Sequence, residues 1–206
     1  MKNIDPKELQ LLQGAFGVFT RLGVKAITMD DVARELGVSK KTLYVYFKDK
    51  SDLLTKTFSY DMQCDEQRSL EFVSTSKNAI EELIFVNDHL QERFTEMHAS
   101  VVYDLQKFYP EVWALFKGFK HQHILNCIIE NIKRGKVEDL YREALNTEVY
   151  ARLFVGRFEV MFDIELFPHK EYKLPEIHLN MIEYHVRAMA TAKGLKQLEK
   201  HILKQQ

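Results

Sequence analysis

Apolar residues recur at spacings of three and four along almost the whole chain, and no stretch alternates apolar with polar residues for any length. That periodicity confines the chain to helices. With only 4 prolines and 8 glycines in 206 residues, little interrupts them. Roughly nine or ten helices of ordinary length fit. A hydrophobic share of 46% is ample for a packed core. An all-α fold is therefore predicted, with a small N-terminal domain over 1–50 joined to a larger helical domain over 51–206.

The composition excludes several classes. Cys64 and Cys127 are the only cysteines and stand in no CxxC or Cys/His spacing, so neither a disulfide framework nor a zinc site is expected. A reducing, cytoplasmic setting follows. Charges at Lys2, Asp5, Lys7 and Glu8 do not suit the apolar core of a signal peptide, and no apolar run approaches the roughly 20 residues that span a bilayer. No membrane partner is predicted. Among the eight histidines, His121 and His123 lie on different helix faces and His178 and His185 are seven residues apart, so no metal or other cofactor is expected. The chain holds no Gly-rich phosphate loop and no Ser or Cys nucleophile motif, and Glu159 and Asp163 stand at ordinary helix spacing, so it does not read as an enzyme.

Punctuation along the chain locates the helices. Asp5-Pro6-Lys7-Glu8 opens the first, whose apolar face is Leu9, Leu12, Phe16 and Phe19, and Gly23 stops it. Thr28, with Asp31 three residues on, opens a second. Gly37-Val38-Ser39 then makes a tight turn, a plug between two helices and a cap for a short third helix. This is the punctuation of a helix-turn-helix. A long helix begins at Asp49 and runs to about Phe72, followed by a loop over Ser74 to Asn78. Pro110 is expected to open a helix reaching Arg134, with Gly135 ending it. Asn146 caps a segment from Thr147 to Leu166 that is apolar nearly all round, and a last helix starts near Pro175 with a stripe reaching Leu195, Lys193-Gly194 being a place where it can fray or break.

A net charge of −1 argues against a nucleic-acid partner until its distribution is considered. Leu43 and Phe47, four apart, anchor the third helix against Val32, Leu36 and Phe19, which leaves the opposite side exposed. That side and its flanks hold Ser39, Lys40, Lys41, Thr42, Tyr44, Val45, Tyr46, Lys48 and Lys50, with Asp49 the only nearby acid. A short exposed helix of this kind fits a major groove about 12 Å wide, where lysine donates to guanine edges and threonine touches either base. Lysine clusters are more often simply solvated, so the surrounding punctuation carries the argument.

The segments Thr28-Met29-Asp30-Asp31-Val32-Ala33 and Gly37-Val38-Ser39-Lys40-Lys41-Thr42-Leu43-Tyr44-Val45-Tyr46-Phe47, with Lys50 after them, resemble the TetR family of transcriptional regulators over about Leu9 to Leu54. The resemblance implies a homodimer that binds a palindromic double-stranded DNA operator, usually as a repressor, and lets go when a small molecule enters the C-terminal domain. Its groove-reading positions fall on Lys40, Lys41, Thr42, Tyr44 and Val45, and its phosphate-contacting positions on Thr28, Ser39, Tyr46 and Lys50.

In this family the last two helices build the dimer interface, which places Leu153, Gly156, Val160, Ile177, Met181, Tyr184 and Ala188 there. The other use of such a segment is an internal core helix. Aromatic residues of the middle and later helices, Phe94, Trp113, Phe116, Phe154 and Phe158, are candidates for lining a largely apolar effector cavity, although core packing is the commoner use of periodic aromatics. His178 and His185 beside the dimer stripe suggest protonation near pH 6.5. The competing reading is a constitutive dimeric DNA-binding protein without effector control.

Overall fold

The computed structural model describes residues 4–98, 100–168 and 170–202; Lys2, one of the N-terminal charges considered above, lies outside them. Among the described residues all regular structure is helical: α1 (Pro6–Leu22), α2 (Met29–Glu35), α3 (Lys40–Tyr46), α4 (Lys50–Thr75), α5 (Ala79–Glu96), α6 (Val101–Phe108), α7 (Pro110–Phe119), a π-helical turn (Lys120–Ile124), α8 (Leu125–Val137), α9 (Thr147–Met161), α10 (Leu174–Met189) and α11 (Ala192–Ile202). An isolated β-bridge joins Tyr141 to Ala190. No helix of the described residues is long and apolar enough to cross a membrane.

The chain divides into two compact units, one of residues up to 65 together with 96–119, the other of 66–95 together with the residues from 120 onward. In the first unit the local signals act as written. Asp5 accepts hydrogen bonds from the amides of Lys7 and Glu8 at the start of α1. Gly23, at φ 85°, ends that helix in a conformation an L side chain resists. Thr28 and Asp31 form a reciprocal capping box on α2, and Ser39 accepts from the Thr42 amide to cap α3. Leu12, Phe19, Val32, Leu43, Phe47 and Leu54 are buried together, and Val101, Leu105 and Val112 of α6 and α7 complete the same core.

The second unit packs Ile80, Leu83, Ile132, Ala151, Val155 and Val186 from α5, α8, α9 and α10 into one core. Buried polar groups are tied in: Asn131 donates to the Ala79 carbonyl at 2.8 Å and accepts from the Tyr141 hydroxyl at 3.2 Å. The Arg134 guanidinium donates to Glu82 at 3.0 Å and Glu138 at 2.8 Å.

Four expected features of the helices fall elsewhere. The helix expected from Pro110 to Arg134 is interrupted by the π-turn, in which Lys120, 1% exposed, donates to Glu159 at 2.6 Å. Gly135 does not end α8 but lies inside it, because the Tyr141 ring packs flat against its backbone; a Cβ there would stand 2.0 Å from Tyr141 Cδ2. The last helix breaks after Met189, where Arg142 N donates to Met189 O and Thr191 N to Leu140 O, both at 2.9 Å. Two chain segments hydrogen-bond there in place of a continuous helix. α9 also stops at Met161, ahead of the expected Leu166, and Asp163 accepts from the amides of Glu165 and Leu166 in the turn that follows.

Candidate nucleic-acid interface and interior polar site

α3 has one buried side and one wet side because its spacing leaves no alternative. Leu43 and Phe47 are sequestered, while Lys40, Lys41, Tyr44 and Val45 face water, Val45 with 71% of its surface exposed. A β-branched apolar side chain this exposed has nothing to pack on in the chain itself. Lys40 is paired with Asp30 at 2.7 Å, which holds the ammonium's pKa above its ordinary value. Both partners are well exposed, so water and salt screen the pair and it yields readily to another anion. Thr42 is half-buried, its hydroxyl 2.8 Å from that of Ser39.

The flanking positions are more engaged. Thr28 both donates to and accepts from Asp31. The Tyr46 hydroxyl donates to Asp5 at 3.3 Å. Lys50 is half-buried with its ammonium turned onto two main-chain carbonyls, Val24 at 2.5 Å and Lys25 at 3.2 Å, and burial pulls its pKa down. It reaches a phosphate only by leaving them.

Sequence reasoning overlooked what holds the other side of this loop. Asp104 of α6, buried, accepts from the amides of Val24 at 3.2 Å and Lys25 at 2.9 Å and from Ser100 Oγ at 3.0 Å. The α1–α2 connection is thus clamped by a carboxylate on its N–H groups and an ammonium on its carbonyls. No local pattern announces this, since Asp104 stands about 80 positions along the chain from the amides it binds.

In the second unit Phe94, Phe154 and Phe158 converge around His178: ring centroids of Phe94 and Phe158 lie 5.5 and 6.4 Å from the imidazole, and Phe154 and Phe158 are 6.3 Å apart. Trp113 and Phe116 belong to the first unit, stacked on each other at 5.2 Å. His178 and His185 are both buried, which, together with the nearby Arg157 charge, pushes their pKa values down to about 4 and about 3. The expectation of protonation near pH 6.5 beside a dimer stripe is therefore corrected: these rings face the interior and stay neutral there.

Leu153 of α9 and Tyr184 of α10 are 61% and 71% exposed, Val160 and Gly156 are exposed, Met181 and Ala188 half-buried, and Ile177 is buried in its own unit. Arg157, which sequence reasoning passed over, is the charged group of the interior site. It is one of two arginines in the Thr147–Leu166 segment, with Arg152, and nothing in the local spacing singles it out.

Residues 11–57 match the profile of the bacterial regulatory proteins, tetR family. The chain is 22% identical over 191 residues to the fatty acid metabolism regulator protein of Bacillus subtilis, covering 89% of this chain and 95% of that one. Among solved structures, a transcriptional regulator from Cytophaga hutchinsonii superposes with a TM-score of 0.71 at 18% identity, over 91% of this chain and 100% of the other. A FadR regulator from Bacillus subtilis, solved with stearoyl-CoA, superposes with a TM-score of 0.65 at 21% identity, over 86% of this chain and 97% of that one. Capped helix-turn-helix and matched profile agree: residues 11–57 form a DNA-binding domain of the bacterial regulatory proteins, tetR family, and the chain as a whole is similar to transcriptional regulators of that kind.

Proposed function

We propose that the chain is a homodimeric, cytoplasmic repressor that grips a palindromic operator with two copies of α3 and releases it when a small, largely apolar molecule enters the second unit. The observation that carries this reading is the polarity of α3: a core-anchored back, and a front of Lys40, Lys41, Tyr44 and Val45 facing water. In the groove the lysines donate to guanine edges, Thr42 touches either base and Val45 contacts a thymine methyl. Thr28, Ser39, Tyr46 and Lys50 hold phosphates and set the register. Dimerisation is supported by Val149, Leu153, Gly156 and Val160, an exposed stripe at helix spacing on α9, with Met181, Tyr184 and Ala188 beside it on α10.

An apolar effector is supported by the aromatic convergence around His178 and by the stearoyl-CoA held by the Bacillus subtilis neighbour. A second reading, a constitutive DNA-binding dimer, is favoured by one observation: the void among Phe154, Phe158, Met161 and His178 is only about 10 Å³, room for about one water. Anisotropy titrations of random-sequence duplexes at increasing salt test the DNA reading. Log affinity is expected to fall linearly with log salt, by about 0.9 per phosphate neutralised. Salt-independent or absent binding contradicts it.

A further inference from the structure

Arg157 sits mid-helix in α9 with its guanidinium drawn out of water, and burial lowers its pKa to about 10. Nη1 donates to the Met181 carbonyl at 2.5 Å, and the guanidinium carbon lies 4.8 Å from the Phe154 ring centroid and 5.9 Å from that of Tyr184. Nε is buried without a hydrogen-bond partner. No carboxylate among the described residues is paired with this charge. On the same Phe154 ring, 4.5 Å between centroids, rests His185, 4% exposed, whose Nε2 is also buried and unpartnered. His178 beside them is satisfied, its Nδ1 3.0 Å from Asn87 Oδ1.

A guanidinium Nε and an imidazole Nε2, both buried without hydrogen-bond partners and both on residues packed against Phe154, are costly unless something completes them. Their surroundings specify what does. The local charge is positive, so the missing group is an anion; the void is walled by Phe154, Phe158, Met161 and Ile182, with Phe94 behind them against His178, so what bears the anion is apolar. Arg157 and Met181 separate the small void from an open groove of about 590 Å³ lined by Val160, Phe167, Tyr172 and Tyr184, with Glu176 as its acid. The groove is large enough for a drug-sized molecule. Both spaces share Arg157 and Met181 in their walls, so a molecule passing from the groove, which borders the proposed dimer stripe, to the void must displace these two side chains.

We propose that this interior site receives the carboxylate of an amphipathic acid, Arg157 and His185 binding the carboxylate and Phe94, Phe154 and Phe158 the apolar body. A free carboxylate fits the site better than a thioester, whose carbonyl is neutral at this position. The effector reading above gives the site its use; binding itself is measured without DNA, so failure of either is seen separately.

Calorimetric titration and thermal melting of the full chain with sodium decanoate, 1-decanol, methyl decanoate and decanoyl-coenzyme A test the proposal. Decanoate is expected to bind and to raise the melting temperature, at least about tenfold tighter than the three others, as befits a charge-assisted hydrogen bond. Arg157→Met keeps an unbranched apolar stem and removes a partly buried charge that has no carboxylate partner, so it is expected to fold at least as stably and to lose decanoate affinity about tenfold or more while leaving decanol unaffected. His185→Phe provides an independent second variant with a smaller loss in the same direction. Equal binding of decanoate and its neutral analogues, tighter binding of the coenzyme A thioester, or undiminished uptake by Arg157→Met overturns the proposal. So does loss of dimer mass in Arg157→Met without decanoate uptake by the parent chain, which would give the charge to a second copy.

Discussion

His178 and His185 make the stability of the fold depend on pH in a stated direction. Their folded pKa values of about 4 and about 3 lie below the ordinary 6.5, so the unfolded chain takes up protons first as pH falls. Stability is full above pH 6.5 and is lost as pH falls from 6.5 toward 4. The groups facing these rings are Arg157 from α9 and Asn87 from α5, the first repelling a proton and the second fixing the neutral ring. Between pH 6.5 and 5.5 the parent chain should lose about 2 kcal/mol more than a His178→Asn, His185→Phe double variant in denaturant titrations, from about 1 kcal/mol for each histidine over that interval. Parallel losses would show that the rings are wet. On the DNA side, Thr42→Ala should relax discrimination at one base position, whereas Lys50→Ala should weaken all duplexes alike. If Lys50 works as a phosphate donor, the salt slope drops by about 1; if it works by holding the Val24 and Lys25 carbonyls, the slope stays and the melting temperature falls.

Among the elements, α6 is the one whose importance the sequence conceals. Asp104→Ala would strand the buried Val24 amide and the partly buried Lys25 amide of the α1–α2 loop, and a loss of about 2 kcal/mol in urea unfolding is expected. Duplex affinity should fall with it, uniformly across sequences; unchanged stability would mean the loop is held by Lys50 alone. Gly135→Ala should cost about 3 kcal/mol, because the new methyl meets the Tyr141 ring inside α8 with no room to move. The helix-turn-helix was legible because its signals are local: a cap and the amide it binds lie within three residues at Thr28 and at Ser39. The π-turn at Lys120 and the break after Met189 were not, because their partners, Glu159 and Leu140 with Arg142, lie far along the chain; the interior position of Gly135 was not, because it turns on how the nearby Tyr141 ring packs back against it, which spacing does not encode. Glycine often ends helices, and only the packed ring shows why this one does not. At the interior site the aromatic residues were visible as a set, but their division between units and their gathering round Arg157 were not.

For the molecule as a whole, the proposed reading is a symmetric pair that covers the exposed α9 stripe. Leu153→Glu should convert the proposed dimer to monomer in sedimentation at micromolar concentration while the circular dichroism spectrum stays helical, since Leu153 is 61% exposed in its own chain. A mass unchanged by this substitution would move the interface elsewhere. The measurement that reaches furthest is selection of bound sites from a pool of random duplexes. A TetR-type dimer is expected to enrich a palindrome whose half-sites each carry a short major-groove element, with enrichment abolished by Thr42→Ala at one position of each half. Recovery of sequences without two-fold symmetry, or no enrichment over the starting pool, would contradict the account.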